Sequence, residues 1–509
     1  MRRLFSLAAA GVAILFSHQV QAQKAADTVR VAINDTFAVL DSYHAPFDEA
    51  SSFDRVVYQS LIGYDQVAGK QLNVLAKSLT RLNSNTLEVE LRENVVFHNG
   101  NKFDADDVKA TLEYLSNPAT KIPFKQRYDW IKSVEILSPY KVLIHQSRSF
   151  SSDLGILAFR LRLRDKETMD TFADQTEYGK NPNGTGSYRV TALDRNSGIS
   201  VEAVPNHWEG GKYFPQHVKR VRGVFMPDRQ TQIAQLMTGN IDLVRNVSGD
   251  EAKNLALNPN LAVTPTGSGN LLYVTFDAIG RSKNKVMMDK RVRQAFIQAV
   301  DRDALLKHII PGGEFFQKNK AYCLPNTLAC APGVEVYPYD PAASKKLLAE
   351  AGYPNGFDLV LHVHEPFKTI AEAMAGEVRK VGIRASIESL TNAAYVRMRG
   401  NGEFTAFLGS FPAATHPDTS VVNEFFFSGD RDYWQDPMIQ KAMEAGEVEF
   451  DDAKRAAIYT PILDKANRES YLLPISEQPT MWAHSKDVVL NPNPMSNSLP
   501  LVGDYGWKK

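Results

Sequence analysis

Metal-type donors stand close together at His362 and His364, with Glu365 directly after them. Alternation along a strand would put both imidazoles on one face. Two histidines on a strand are more often partly buried structural residues, and no metal or cofactor is expected. Arg397 and Arg399 offer a different chemistry, since a guanidinium can hold a carboxylate through two parallel hydrogen bonds. The two cysteines, Cys323 and Cys330, read as one structural disulfide closing a small loop in an oxidising compartment. A zinc site built on cysteine alone would need more ligands than these. Covalent and hydrolytic machinery is missing: there is no Gly-x-Ser-x-Gly elbow, no His-Glu-x-x-His helix and no Gly-Lys-Ser/Thr phosphate loop. The chain is therefore expected to bind rather than to catalyse.

Elements of both periods must position these groups. Thr28 to Ile33 alternates as a strand should, and further strands fit Thr86 to Leu91 and Lys141 to His145. Asp104 can cap a helix with Asp107 at N3 and Val108, Leu112 and Leu115 on one face. A clearer helix runs from Lys290 to Val300, capped by Asp289, with Val292, Ala295, Phe296, Ala299 and Val300 on its apolar stripe. Asp301 can cap the next helix, Arg302 to Ile309, and Asp340-Pro341 opens another that Gly352 stops. Phe357 to Val363, Lys368 to Val381 and Ile383 to Ile387 form a βαβ unit with its strands parallel.

The N-terminus has its own pattern. Arg2 and Arg3 precede an apolar run from Leu4 to Phe16, and Val20-Gln21-Ala22 supplies the small residues of a cleavage site. That is the layout of an export signal over residues 1–22, and the run is too short to span a bilayer comfortably. The full chain has 58 basic and 58 acidic residues, and loss of the leader removes two arginines. The balance gives no electrostatic footprint for nucleic acid. A length of 509 residues calls for more than one core.

Several segments, taken in order, carry a resemblance. They are Val95-Val96-Phe97-His98-Asn99-Gly100-Asn101-Lys102-Phe103-Asp104-Ala105-Asp106-Asp107-Val108, Asn183-Gly184-Thr185-Gly186-Ser187-Tyr188 and Asn206-His207-Trp208. Gly239-Asn240-Ile241-Asp242, Arg291-Val292-Arg293-Gln294-Ala295 with Asp301-Arg302, and Ala351-Gly352-Tyr353-Pro354 follow. The chain resembles the extracellular solute-binding proteins of the dipeptide, oligopeptide and nickel ABC importers. The resemblance implies an α/β, two-lobed periplasmic binding protein fold of the large type, hinged between its lobes. Residues 23–60, 183–270 and 480–509 would form lobe I, 61–182 an extra subdomain of that lobe, and 271–479 lobe II. It also implies a monomer in the periplasm that captures a small peptide or peptide-like ligand and delivers it to membrane permease subunits. Gly184 and Gly186 are expected to be turn residues with unusual backbone angles, and Arg293 and Arg302 to lie on a solvated or interlobe face.

Ligand contacts are expected from loops and aromatics near the lobe junction. The candidates are Tyr43, His44 and Phe47 after the first strand, then Tyr395, Arg397 and Arg399. The stretch Leu408 to Asp418, with Phe411 and Asp418 as candidates, resembles the family segment Gly-Trp-Thr-Gly-Asp-Asn-Gly-Asp-Pro-Asp. Peptide-binding relatives place an aspartate there against the ligand's ammonium, whereas this chain has Ala413, with His416 in place of a second aspartate. A desolvated ammonium without a counter-charge is costly, so an opine or modified amino acid, an oligosaccharide or a nickel chelate stands as an alternative cargo. Tyr433, Trp434 and Trp482 complete the candidates.

Overall fold

The computed structural model describes residues 24, 26–34, 38–45, 48–65, 70–325, 327–411, 418–491, 493 and 500–509. The expected leader, Phe47, Ala413 and His416 lie outside the described residues. By internal contacts the chain forms two units, Met1–Thr266 with Met481–Lys509, and Gly267–Thr480. No helix among the described residues is long and apolar enough to cross a membrane.

In the first unit, strand Thr28–Ile33 pairs in parallel with Arg220–Phe225 over all six residues. Gly198–Ala203 and Tyr188–Asp194 extend that sheet antiparallel, and Leu243–Val244 joins its other side. A separate four-stranded antiparallel sheet has the order Ala76–Asn83, Thr86–Leu91, Lys141–Gln146, Ile131–Ser138. Helix Ala105–Ser116 opens with the expected capping box, Asp104 accepting from Asp106 N while Asp107 accepts from Asp104 N. Its buried face is Val108, Thr111, Leu112 and Leu115.

Three motifs far apart in the chain meet in this unit. His98 Nε2 donates to Gly186 O at 2.9 Å, and His207 Nε2 to Thr185 O at 2.8 Å. Trp208 Nε1 reaches Gln59 Oε1 at 3.2 Å and Thr185 O at 3.3 Å. Gly184 and Gly186 are glycine for a reason other than the one expected. Neither has a positive φ; a Cβ on either would stand 2.1 Å from a main-chain oxygen, of Val57 and Val56 respectively. Close approach of two backbones, not turn geometry, demands them.

Burial pulls the His98 imidazole down to about 4 from its ordinary 6.5. A depressed histidine contributes stability that is complete above the unfolded value and declines as pH falls toward the folded one. Replacing His98 with Gln, which can still donate to Gly186 O, removes that decline. Urea unfolding should show the native protein's advantage over His98→Gln shrinking by about 2–3 kcal/mol between pH 7 and 4.5. Parallel stability curves would refute this assignment.

In the second unit, Phe357–His364 pairs in parallel with Ile383–Leu390 along all eight residues, with helix Lys368–Arg379 between them in the chain. Ala406–Phe411 pairs in parallel with Leu361–Val363 and antiparallel with Leu271–Phe276 of the long strand Leu261–Phe276. Alternation sends Leu272, Val274 and Phe276 to one face, where helices Lys290–Ala299, Pro341–Glu350 and Lys368–Arg379 pack. Leu271 and Tyr273 face the other way, into an aromatic core with Phe407, Phe426 and Trp434. Asp289 caps Lys290–Ala299 as its position predicts.

Two expectations are corrected here. Arg302–Ile309 is not one α-helix: Arg302–Ala304 is α-helical, and Leu305–Ile309 widens to a π-turn. Gly313 packs so tightly on that turn that a Cβ would meet Leu306 O at 2.4 Å. Arg293 is not on a solvated face but buried. Its guanidinium donates to the carbonyls of Met287 at 2.7 Å and Glu469 at 2.8 Å, holding chain ends that would otherwise lack donors.

Candidate functional site

Helix Asn392–Gly400 starts where Thr391 accepts a hydrogen bond from Ala394 N. Tyr395 and Arg399, four residues apart, share one of its faces. That face meets the aromatic side of the sheet. Tyr395 stacks on Phe407 with centroids 4.8 Å apart, and Phe404 stacks on Phe407 at the same separation. His364 stands edge-on to Tyr395 at 4.4 Å, and His362 lies 5.2 Å from Phe404. Both histidines thus occupy one strand face, over the ring stack; burial holds both imidazoles below their ordinary value.

A pocket opens in this layer, lined by Tyr273, Thr275, Tyr395, Arg399, Phe404, Phe407, Phe425, Phe426, Arg431 and Tyr433. Arg399 lies 5.2 Å over the Tyr395 ring and pairs with Asp430 at 3.2 Å. Arg431 lies 4.8 Å over Phe425. Thr275 Oγ1 and Arg431 Nε are buried without a hydrogen-bond partner among the described residues. The free volume there is about 20 Å³, room for a water, so in this arrangement the unmet donors suit a bound water, and a larger ligand would need the aromatic layer to open. Of the two candidate arginines, Arg397 points elsewhere: its side chain is 64% exposed, 3.7 Å from Glu403.

The remaining candidates are spread out. Tyr433 lines the pocket, and Phe411 packs on Phe425 at 4.1 Å beside it. Trp434 is buried between Phe427 and Tyr471. Asp418 is buried too, pairing with Arg455 at 2.6 Å and accepting from Ser420 N at the start of helix Thr419–Phe427. Cys323 and Cys330 form the expected disulfide. Its loop holds the same helix start, because Leu328 O accepts from Thr419 N at 3.0 Å and Thr419 Oγ1 at 2.7 Å.

The first unit contains the others. Asp41 accepts from Arg164 Nη2 at 2.7 Å and pairs with His44 Nδ1 at 2.6 Å, and His44 Nε2 reaches the Tyr114 hydroxyl at 2.8 Å. Burial alone would raise the Asp41 carboxyl, but Arg164 and His44 overcome it and hold it at about 2. Tyr43 donates to Arg162 O at 2.8 Å. Trp482 is fully enclosed, edge-on to Tyr505. In the same unit Asp107, Asp165 and Glu167 bring carboxylate oxygens within 4.8 Å of one another. Asp165 already accepts from the side-chain amides of Asn99, Asn101 and Asn183 at 2.8 to 3.0 Å, so the trio is tied into the protein's own hydrogen bonds.

Sequence reasoning missed Tyr273, Thr275, Phe404, Phe407, Phe425, Phe426 and Arg431. Alternation in the strand carrying Tyr273 and the triple phenylalanine at Phe425 were the signals that could have found some of them.

Comparison with known proteins places these features. Residues 72–433 match the model of the bacterial extracellular solute-binding proteins, family 5. The glutathione-binding protein GsiB of Escherichia coli K12 is 27% identical over 492 residues, covering 91% of each chain. The ABC transporter substrate-binding protein CtaP of Listeria monocytogenes superposes with a TM-score of 0.82 at 17% identity, covering 95% of this chain and 99% of that one. The periplasmic binding protein DppA of Helicobacter pylori, solved with the peptide STSA, gives 0.72 at 20% identity, with 95% of this chain and 98% of that one covered. These likenesses establish the two-lobed α/β fold of periplasmic binding proteins. With a family match across most of its length, this chain belongs to the bacterial extracellular solute-binding proteins, family 5.

Proposed function

We propose that this protein captures a short peptide or peptide-like compound and hands it to the permease subunits of an ABC importer. In this reading it is a monomer, exported to the periplasm by its first 22 residues, and it turns nothing over. The observation that carries the reading is the near full-length similarity to a glutathione-binding protein, 91% of both chains. Glutathione is itself a modified tripeptide with free carboxylates. The aromatic layer offers the matching chemistry, rings for an apolar portion and Arg399 with Arg431 for a carboxylate, provided that it opens beyond the about 20 Å³ free in this structure. Ligand binding would stabilise the closed arrangement of the lobes, which the membrane partner recognises.

Native mass spectrometry of the freshly purified protein, followed by calorimetry with glutathione, dipeptides, an opine, an oligosaccharide and a nickel–histidine chelate, tests this. Saturable binding of glutathione or a peptide is expected. Arg399→Ala should raise Kd at least about tenfold, equivalent to about 1.4 kcal/mol, while Arg397→Ala should leave it nearly unchanged. Binding of only the opine, sugar or chelate would overturn the peptide reading, and unchanged affinity in Arg399→Ala would remove that arginine from the site.

A further inference from the structure

The second unit has an open cleft of about 660 Å³ that shares no residue with the aromatic pocket. The π-turn Leu305–Ile309 contributes Leu306 and Lys307 to it. Leu306, Phe316 and Val336 form an apolar wall, and Arg302, Lys307, Lys318 and Lys320 bring four cations. Two of these are already neutralised at the rim, Lys318 by Asp303 at 2.5 Å and Lys320 by Glu335 at 2.8 Å.

Arg302 is in a different position. Its Nη1 donates to Asn319 O at 2.9 Å and Pro474 O at 2.8 Å, which fixes the guanidinium plane. No carboxylate lies within ion-pair distance of it among the described residues, and its Nε and Nη2 have no hydrogen-bond partner there. Burial draws its pKa down to about 10, with the nearby Asp303 and Glu335 carboxylates acting against it. Asn319, 4% exposed, lines the same cleft, and its Nδ2 also lacks a partner among the described residues. Lys307 is exposed and makes no ion pair among them. A buried amide donor is costly when unpaired, and the half-buried Arg302 beside it keeps a free edge for a further acceptor. One anion answers both, because the free edge of an arginine matches a carboxylate or phosphate group.

We propose that this cleft is a second small-molecule site, taking a compound that carries a carboxylate or phosphate group beside an apolar portion. The two head groups share one recognition chemistry, so the test uses both. Calorimetry at low ionic strength with inorganic phosphate and with succinate should show one-site saturable binding of at least one of them, with Kd below about 1 mM. Lys307→Glu and Asn319→Asp should each weaken it about tenfold or more. Lys253→Glu, whose side chain is 83% exposed in the first unit, should leave it unchanged. Because Lys307 is exposed, its variant keeps the test open if Asn319→Asp folds poorly, as thermal unfolding would show. The preferred anion identifies the head group. Absence of saturable binding by both anions, unchanged affinity in Lys307→Glu, or equal weakening by Lys253→Glu would overturn the proposal.

Discussion

Replacing Asp41 with alanine is expected to lower the unfolding free energy by about 3–5 kcal/mol, because it strands a buried arginine. Arg164 is 3% exposed, and Asp41 is the acid at its guanidinium, 2.7 Å away. The same carboxylate also receives Tyr43 N at 2.9 Å and holds His44 in place. Arg164 is further packed between the rings of Tyr43 and Tyr178, at 4.9 and 4.8 Å, so it cannot swing out to water cheaply. The pH dependence has a definite sign. The folded carboxyl titrates near 2, below its ordinary 3.8, so the stabilisation is complete above about pH 4 and is lost as pH falls toward 2. Denaturant unfolding of Asp41→Ala, Arg164→Met and the double variant should show strong coupling. A loss below about 1 kcal/mol in Asp41→Ala would mean that solvent reaches the pair.

The second large effect is at Arg455. Its guanidinium meets Asp418 at 2.6 Å and Asp452 at 2.7 Å, and Asp418 is buried while Asp452 is 60% exposed. Burial pushes the Asp418 carboxyl up, with Arg455 acting against it. Arg455→Met leaves an unpaired buried acid and should cost about 3–5 kcal/mol. Asp418→Asn should cost less, because asparagine still caps the helix and Arg455 keeps Asp452 and the Glu449 carbonyl. The affected helix, Thr419–Phe427, carries Phe425 and Phe426 into the aromatic pocket. Arg455→Met should therefore also weaken ligand affinity, measured at a temperature where the variant is still folded. Equal losses for the two variants would contradict this account.

What could be read without the structure was local. The first strand, the Asp104 capping box and the Asp289 cap were legible because period and cap chemistry act within a few residues. The parallel pairing around Lys368–Arg379 followed from a strand–helix–strand order that leaves one common solution. The π-turn was not legible, since no local signal marks it and its close contact with Gly313 appears only in the folded chain. The two glycines at 184 and 186 were visible, but their reason was not, because it rests on Val56 and Val57 more than 120 positions earlier. The aromatic pocket gathers Tyr273, Tyr395, Phe407 and Arg431 from separate elements. Adjacent strand residues there face opposite ways, so proximity in sequence says little about membership.

The division of the chain sets an order of events during synthesis. Unit one is interrupted after Thr266 and resumes only at Met481. That last segment supplies Trp482, Ala483, Val488, Val502 and Tyr505, all buried. At ribosomal speeds of about 5–20 residues per second, roughly 10–50 seconds pass between the translation of Thr266 and that of the final residue. Throughout that interval the early part of the protein has no complete interior, and the inserted unit is finished first, once Thr480 has been added. Any carrier that must keep the chain unfolded has that time to engage it, and a truncation ahead of Trp482 would leave the earliest-made half permanently unfinished.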